Sequence, residues 1–317
     1  MLYRPLGGLS VSALALGGHE YLTDGRSRGF NEDRGDATKA GYVGEGYGGP
    51  GRRATLQEAY RLGINFLDVT IDPEQEAVGR NLRDDPPAHD VFVHTRPQGM
   101  GYGYDPHNAR MADYDDLCAE VERILLLLRR ETIDVLNFPF LQPALDHDPD
   151  YLRKIGENIA RLKDEGLIRC AACDTFSSEA TYLRQIESAH FDSIAINFNF
   201  ADTGAAEQVL PAAAERGMGV VTREAFLKGG LFRMGDDAGI VDRAALARAG
   251  MKWNLSHPQV TSVLVGAADA PQLRNAASVL EDLGLSDEDL RLLDQLRQTD
   301  TYQSTKASKE ERFFSSR

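Results

Sequence analysis

Cysteine, long apolar runs and positive charge are all scarce in this sequence. The 317 residues include only 3 cysteines, which fits a reducing compartment and argues against a disulfide-stapled scaffold. The longest strictly apolar run, residues 124–128, is far too short to span a bilayer, and residues 1–5 do not begin a signal peptide. The net charge of −14 argues against nucleic-acid and anionic-lipid partners. We therefore expect a cytoplasmic protein that acts on a small molecule.

Two of the cysteines, Cys170 and Cys173, form a C-x-x-C spacing that is typical of redox or metal sites. The segment 167–173 is predicted to be a β-strand, in which side chains alternate between the two faces. Residues three positions apart then point to opposite faces and cannot readily share a metal or a disulfide. We expect both cysteines to be inert, and the sequence specifies no metal site.

Short apolar or β-branched runs alternate with amphipathic stretches of helical length along nearly the whole chain. The predicted strands are residues 13–16, 64–69, 91–95, 134–138, 168–173, 193–198, 219–223 and 262–265. Such alternation predicts parallel strands joined by crossover helices, and eight units favour a closed α/β barrel, the (β/α)₈ TIM barrel, over an open sheet. No linker divides the chain, so we expect one domain over residues 1–300.

Three segments lie outside this pattern. Residues 2–12, with a Gly7-Gly8 turn, are predicted to form a β-hairpin that caps the barrel floor. The connection at 19–52 contains nine glycines and has the length of a functional lid. Its G-x-G-x-x-G stretch at 44–49 follows no strand, which favours a lid over a phosphate-binding loop. The polar residues 301–317 are predicted to form a mobile tail.

Polar residues stand at the predicted carboxyl ends of the strands, where barrels of this type carry their chemistry. They include His19, Asp68, His94, Arg96, Asn137, Asp174, Asn197, Arg223 and Glu224. The structural alternative is a ring of ion pairs that closes the core, such as Asp68 with Arg96 and Glu224 with Arg223. Burying many charges for stability alone is unfavourable, so we expect a functional rim.

Several motifs, in chain order, resemble those of the aldo-keto reductases. They are YRPLGGLSVS at 3–12, GINFLD at 63–68, EAVG at 76–79, LKDEGLIR at 162–169, and the segments 220–231 and 263–272. The resemblance covers residues 1–297. It implies the barrel fold and an enzyme that reduces carbonyl groups with a hydride from a nicotinamide cofactor.

The resemblance implies a tyrosine that donates a proton and is tuned by a lysine, an aspartate and a histidine. Only the aspartate, Asp68, is retained. Arg96 stands at the lysine position, whereas Pro73 and Pro139 replace the tyrosine and the histidine. Proline has no proton to donate, and arginine stays protonated. The chain therefore resembles a divergent member with a degenerate catalytic tetrad, in which Asp68 and Arg96 tune an acid from elsewhere on the rim.

The candidates for that acid are the tyrosines and histidines near the strand ends, namely Tyr21, Tyr47, Tyr102, Tyr104, His19 and His94. His19 is favoured, since it follows two glycines at the end of the first strand. Asp174 is a further acid–base candidate. The predicted catalytic residues are therefore Asp68, Arg96, His19 and Asp174.

The resemblance also implies a site for NAD or NADP. Its predicted contacts are Arg223, Leu227, Gly229, Gly230, Leu231, Gly266 and Gln272. Arg223 would stack on the nicotinamide ring, and the backbone of 227–231 would donate to the pyrophosphate. The positions that hold the carboxamide in the family are Asp174, Thr175 and Ala195 here. Asp269 would repel a 2′-phosphate, so we expect weak discrimination for NADP.

Three functions remain open at this point. The first is an NAD(P)-linked oxidoreductase that acts on a small polar carbonyl or alcohol, including sugar-derived ones. The second is a redox-neutral lyase, dehydratase or epimerase that uses the rim carboxylates and His19. The third is a barrel that binds a ligand without catalysis, since the fold alone does not decide function. The sequence does not indicate an oligomeric state.

Overall fold

The computed structural model of the protein describes residues 1–19, 36, 39, 41, 42, 44 and 47–315. Within these residues, a two-stranded hairpin and a closed barrel of parallel strands account for the strands of the fold. The predicted lid at 19–52 and its glycine motif at 44–49 lie largely outside the described residues.

The strands confirm the predicted (β/α)₈ barrel. The hairpin consists of β1 (Tyr3–Leu6) and β2 (Leu9–Ser12). The barrel consists of β3 (Leu14–Gly17), β4 (Phe66–Asp68), β5 (Phe92–Thr95), β6 (Ile133–Pro139), β7 (Ile168–Asp174), β8 (Ser193–Asn197), β9 (Gly219–Arg223) and β10 (Ser262–Val265). Each barrel strand pairs with the next one in the chain, and β10 pairs with β3 to close the cylinder.

Helices follow the strands and surround the barrel. In the described chain they are α1 (Pro50–Arg61), α2 (Asp72–Asp84), α3 (Ala109–Ala112), α4 (Tyr114–Leu128), α5 (Gln142–His147), α6 (Tyr151–Asp164), α7 (Glu179–Glu187), α8 (Val209–Glu215), α9 (Gly230–Asp237), α10 (Arg243–Leu255), α11 (Ala270–Ala277), α12 (Asp287–Arg297) and α13 (Asp300–Phe313). None of these described helices is long and apolar enough to cross a membrane.

Alternation along the strands divides the core into two layers. One set of side chains fills the barrel interior together with Leu6 and Leu9 of the hairpin, which closes the floor as predicted. The other set packs outward against the helices. Cys170 belongs to the interior set and Cys173 to the outer one. The prediction that the two cysteines face opposite ways is therefore confirmed.

The C-terminal segment differs from the predicted mobile tail. Residues 300–313 form α13, whose first turn is capped by the Thr299 side chain, which accepts from the Tyr302 backbone N–H. The Tyr302 ring packs 5.0 Å from that of Phe200, and the Phe313 ring 6.3 Å from that of Tyr182. These contacts sit at the two ends of a polar helix. The sequence therefore shows no continuous apolar stripe that would predict this helix.

Lys309 anchors the middle of α13 over the carboxyl ends of the strands. Its ammonium nitrogen lies 3.1 Å from Asp202 Oδ2 and 3.2 Å from Glu224 Oε2. Burial raises the pKa of Asp202 above its ordinary value. Burial acts in the same direction on Glu224, but the charges of Lys309 and Lys228 bring the pKa of that carboxyl below its ordinary value. Lys309 thus neutralises two carboxylates that the fold removes from water.

Replacing Lys309 with methionine should lower the free energy of unfolding by about 2 kcal/mol, because two largely buried carboxylates lose their cation. Urea denaturation at neutral pH measures the change. Lys306→Met is the matched control on the same helix, since Lys306 pairs with the more exposed Glu310 and its loss should cost under about 0.5 kcal/mol. Equal losses in the two variants would show that Lys309 does not anchor α13.

Candidate active site

Rim side chains at the barrel mouth form two hydrogen-bonded clusters. The first contains Asp174, Arg223 and Tyr102. The second contains Asp68 and His94. Arg96 connects the two, because its charge acts on Asp68 and its guanidinium contacts Tyr102. The strand ends therefore bring the predicted rim residues together. Their hydrogen-bonded partners differ from the ion pairs that the sequence analysis named.

Asp174, the last residue of β7, is the buried centre of the first cluster. It accepts hydrogen bonds from both terminal nitrogens of Arg223, with Nη2 at 2.5 Å from Oδ1. The hydroxyl of Tyr102 also donates to its Oδ2, and Asn137 Nδ2 lies 3.2 Å from the same atom. Burial alone would lower the pKa of Arg223, but the charge of Asp174 raises it well above its ordinary value. The pair is therefore a bidentate ion pair at a fixed position.

Arg223 is held on two further sides. Its Nε donates to Asn197 Oδ1 at 2.9 Å, and its guanidinium carbon lies 4.7 Å from the centre of the Phe176 ring. The sequence analysis predicted that Arg223 would stack on a nicotinamide ring. In the structure the guanidinium lies against Phe176 and points to Asp174 instead.

The hydroxyl of Tyr102 receives contacts from two guanidinium groups. Arg223 Nη1 lies 3.1 Å from the phenol oxygen, and Arg96 Nη1 lies 3.3 Å from it. Arg96 also lies over the ring, with its carbon 5.1 Å from the ring centre. The phenol oxygen can therefore accept from two cations while its own proton is donated to Asp174.

Pro139, which stands where the family's catalytic histidine would be, supports the loop that carries Tyr102. The Pro139 carbonyl accepts from the Tyr102 backbone N–H at 2.7 Å. Gly101 packs directly on the proline ring, where an added Cβ would lie 2.4 Å from Cγ. Tyr102 itself has a left-handed backbone with φ of +51°, an uncommon conformation for a non-glycine residue. Pro139 and Gly101 thus support the loop from which Tyr102 reaches the barrel mouth.

Burial raises the pKa of Tyr102 to about 12, and the charge of Asp174 acts in the same direction. The charges of Arg223 and Arg96 oppose this shift. The phenol therefore keeps its proton at neutral pH, as a proton donor must.

The second cluster places a histidine on the aspartate that the sequence analysis singled out. His94 Nδ1 lies 2.5 Å from Asp68 Oδ1, and both side chains face the barrel interior. Burial would raise the pKa of Asp68, but His94, followed by Arg96 and His19, brings it below its ordinary value. His19, the favoured acid of the sequence analysis, pairs with the buried Glu74 at 2.6 Å. Glu74 also accepts from the backbone N–H and the hydroxyl of Thr70.

Both ion pairs named in the structural alternative are wrong. Asp68 binds His94 rather than Arg96, and Arg223 binds Asp174. Glu224 instead pairs with Lys228 at 3.0 Å and with Lys309. Its backbone has a left-handed φ of +58°, so its side chain leaves the chain in a different direction from that of Arg223.

Of the predicted catalytic residues, Arg96 and His19 act on Asp68 through their charges. Asp174 is connected to Arg96 through the Tyr102 hydroxyl. Sequence analysis named Tyr102 only as one of several candidate acids. It named His94 as another candidate acid and did not consider Glu74. The alternation of residues along β4 and β5 was the available signal for the Asp68–His94 pair, since both residues are two positions after an interior phenylalanine. In the described chain, no group of three or more metal-ligating side chains is present.

A cleft of about 500 Å³ lies beside the first cluster, between the loop after β9 and α13. Its charged lining residues are Glu224, Lys228, Arg233, Lys309 and Arg312. Four cations thus face Glu224 and its neighbour Asp202, so the cleft keeps a surplus of two positive charges. On a chain with a net charge of −14, this surplus makes the cleft locally attractive to anions.

The predicted backbone donors to a pyrophosphate require correction. The N–H groups of Leu227, Gly229 and Leu231 donate to carbonyl oxygens of residues 224 and 226 in the same loop. The Leu231 side chain is fully buried in the core. A short helical turn over 227–229 uses these donors internally, and the sequence did not reveal that turn. The cationic side chains of Lys228 and Arg233 line the cleft in their place.

The segment after β10 has the local structure that the sequence predicted. Asp269 caps α11 by accepting from the backbone N–H of Gln272 at 2.9 Å, and Gln272 Oε1 accepts from the N–H of Ala268. Both side chains are thus engaged with the chain itself. The carboxylate remains near the position where an adenosine 2′-phosphate would bind in the family.

The fit to a dinucleotide rests on the charge of the cleft, whose surplus of two positive charges matches a pyrophosphate. Asn137 Oδ1 beside Asp174 is a buried acceptor with no partner among the described residues, but Asn137 does not line the cleft. The residues present therefore fit the pyrophosphate part of the group.

The model of the aldo/keto reductase family matches residues 50–246, more than half of the chain. The chain belongs to the aldo/keto reductase family. Among curated protein sequences, none matches this aldo/keto reductase significantly.

Solved structures of other aldo-keto reductases share the fold at low identity. The holo form of AKR11C1 from Bacillus halodurans is 20% identical, with 96% of this chain and 99% of that chain covered and a TM-score of 0.67. The glycerol dehydrogenase AKR11B4 from Gluconobacter oxydans is 21% identical, with coverage of 93% and 94% and a TM-score of 0.69. An aldo-keto reductase from Klebsiella pneumoniae in complex with NADPH is 18% identical, with coverage of 93% and 94% and a TM-score of 0.65.

The Asp68–His94 pair of this aldo/keto reductase should make its stability depend on pH in the acid range. A carboxyl with a lowered folded pKa stabilises the fold above its unfolded pKa, and this contribution disappears as the pH falls through the folded pKa. The free energy of unfolding should therefore decline from about pH 4.5 to about pH 3, and Asp68→Asn should reduce that decline. Urea denaturation across this range measures both slopes.

The exposed Asp287 on α12 provides a matched control, and Asp287→Asn should retain the wild-type slope. An Asp68→Asn slope identical to that of the wild type would contradict a lowered pKa at Asp68.

Proposed function

We propose that this aldo/keto reductase transfers a hydride between NAD or NADP and a small polar carbonyl or alcohol, with Tyr102 as the proton donor. The observation that carries the proposal is the position of the Tyr102 hydroxyl, in contact with Arg96, Arg223 and Asp174 at the barrel mouth. A donor of this kind must hold its proton at neutral pH, and its anion must be stabilised after transfer. Burial and Asp174 keep the proton on Tyr102 at neutral pH, and the charges of Arg223 and Arg96 offset part of the cost of the phenolate.

Proton transfer from Tyr102 leaves the rest of the first cluster paired. When the phenol proton turns from Asp174 to a substrate oxygen, Asp174 keeps its hydrogen bonds from Arg223 and Asn137. The phenolate then accepts from Arg96 and Arg223. Asp68, fixed by His94, balances the charge of Arg96 from the other side. The cationic partner of the tyrosine is thus an arginine in place of the family's lysine.

The cleft beside Arg223 is the proposed dinucleotide site. A bound dinucleotide supplies the hydride. Lys228 and Arg233 would hold its pyrophosphate from the loop, and Arg312 would face it from α13. The solved Klebsiella relative, which contains NADPH, supports a dinucleotide in this fold. Asp269 stands where a 2′-phosphate would bind in the family, which supports weak discrimination for NADP.

A redox-neutral lyase, dehydratase or epimerase is the second candidate. The observation that favours it is the Asp174–Arg223 ion pair, which lies where the family holds the nicotinamide carboxamide. With that pair in place, Tyr102 and the Asp68–His94 pair would serve as acid and base on a substrate. Dinucleotide binding distinguishes the two candidates.

Tyr102→Phe should lower the rate of carbonyl reduction by about 10²–10⁴-fold, because the variant retains the ring but loses the proton. Hydroxyacetone or glyceraldehyde with reduced dinucleotide provides the assay, and circular dichroism checks the fold. Tyr3→Phe is the control, since the Tyr3 hydroxyl lies at the other end of the barrel and donates to Gly63. Wild-type turnover by Tyr102→Phe would remove Tyr102 from the mechanism.

Reduced dinucleotides should bind saturably, as followed by the fluorescence of the bound cofactor. Arg233→Met should weaken this binding about tenfold through loss of one cation. Arg291→Met, an exposed pair partner of Glu288 on α12, should leave it unchanged. NADPH should bind no more tightly than NADH, because the Asp269 carboxylate repels a 2′-phosphate. A complete lack of saturable binding would reject hydride transfer in favour of the second candidate.

A further inference from the structure

The surroundings of Arg96 indicate the charge of the substrate. Arg96 is half-buried at the end of β5, and no carboxylate of the described residues lies within 4 Å of its guanidinium. Its polar contact is the Tyr102 hydroxyl at 3.3 Å. The sequence analysis expected Asp68 to pair with Arg96, but the Asp68 carboxylate pairs with His94. Arg96 therefore has hydrogen-bond donors that remain available to a ligand.

These donors face a narrow cleft that Tyr102 also lines and that shares no lining residue with the dinucleotide cleft. Thr70, Gln98, Gly101, Tyr102 and Tyr104 contribute to its walls. Its enclosed free volume is about 10 Å³, the room of one water molecule, so a ligand places only its charged end against Arg96 and its remainder in the open mouth. Arg96 is the single charged residue among those that line it. The cleft is thus small, polar and positively charged, although the protein as a whole is strongly acidic. A guanidinium fork matches a carboxylate in shape and charge.

We propose that the substrate is a small 2-oxo acid or the corresponding 2-hydroxy acid, with its carboxylate on Arg96 and its carbonyl oxygen on Tyr102. In such an acid the carboxylate and the carbonyl oxygen are carried by adjacent carbons. Their oxygens therefore lie side by side, as the Arg96 nitrogen and the Tyr102 oxygen do. This assignment rests on the proposed hydride transfer and adds the class of substrate to it.

The reaction balances with the groups already named. On reduction, the carbon–oxygen double bond becomes a single bond, the carbon gains the hydride, and the oxygen gains the proton of Tyr102. The carboxylate keeps its charge throughout, so Arg96 holds it equally before and after transfer. The phenolate that forms accepts from Arg223, which keeps its ion pair with Asp174.

A matched pair of probes tests the assignment. Pyruvate and hydroxyacetone are close in size and share a ketone, but only pyruvate carries a charge. With reduced dinucleotide, kcat/KM for pyruvate should exceed that for hydroxyacetone by about tenfold or more. Arg96→Gln should abolish this preference, and Arg96→Lys should restore part of it. The ratio of the two probes is the readout, because any effect of Arg96 on Tyr102 is common to both.

Binding gives a readout that does not require turnover. Oxamate, an unreactive analogue of pyruvate, should bind the purified full-length protein in calorimetric titrations, and Arg96→Gln should weaken it about tenfold or more. Arg80→Gln, which removes an exposed arginine paired with Glu76, is the control and should leave both the ratio and the oxamate affinity unchanged.

The outcomes separate this assignment from the proposed function. Two outcomes would overturn the acid site and leave hydride transfer standing. One is turnover of both ketones without preference for pyruvate, and the other is an oxamate affinity that Arg96→Gln does not change. Arg96-dependent oxamate binding without reduction of either ketone would support the acid site and reject hydride transfer.

Discussion

The carboxylate of Asp174 is the group on which the rest of the site depends. It is fully buried, and an unpaired carboxylate at that depth would be strongly destabilising. Arg223 neutralises it through two hydrogen bonds, and the Tyr102 hydroxyl and the Asn137 amide complete its shell. This requirement sets the direction of Arg223 and draws Tyr102 over the barrel mouth. The arrangement of the proposed proton donor is thus a consequence of how one buried charge is satisfied.

The position of Tyr102 also depends on the residues at the neighbouring strand ends. Pro73 and Pro139 can donate no proton, yet Pro139 provides the surface and the carbonyl oxygen that position Tyr102. His94 forms the hydrogen bond to Asp68, so the Arg96 guanidinium contacts the Tyr102 hydroxyl instead. His94 contacts the aspartate and Arg96 contacts the tyrosine, so the two side chains divide the neighbours of the site between them. The rim residues therefore form an ordered set of hydrogen-bonded groups in space.

The charge around the site differs in sign from the charge of the chain as a whole. The chain is acidic overall, whereas cations outnumber anions among the residues that line the cleft beside Arg223, and Arg96 is the single charged residue that lines the cleft beside Tyr102. Acidic surfaces repel anions in general, so a locally positive cleft concentrates them where the chemistry lies. Helix α13 contributes Lys309 and Arg312 to this field and is itself held by the carboxylates that Lys309 neutralises. The C-terminal helix is thus part of the electrostatics of the site.

The sequence by itself determined the barrel, its hairpin floor, the opposite faces of Cys170 and Cys173, and the position of Asp68 on the rim. These features follow from alternation and periodicity, which act over a few residues and are visible along the chain. The pairing of Asp174 with Arg223, the entry of Tyr102 and the helix at 300–313 were decided by tertiary structure. Each depends on contacts between residues far apart in the chain, where burial selects a partner that no local pattern encodes.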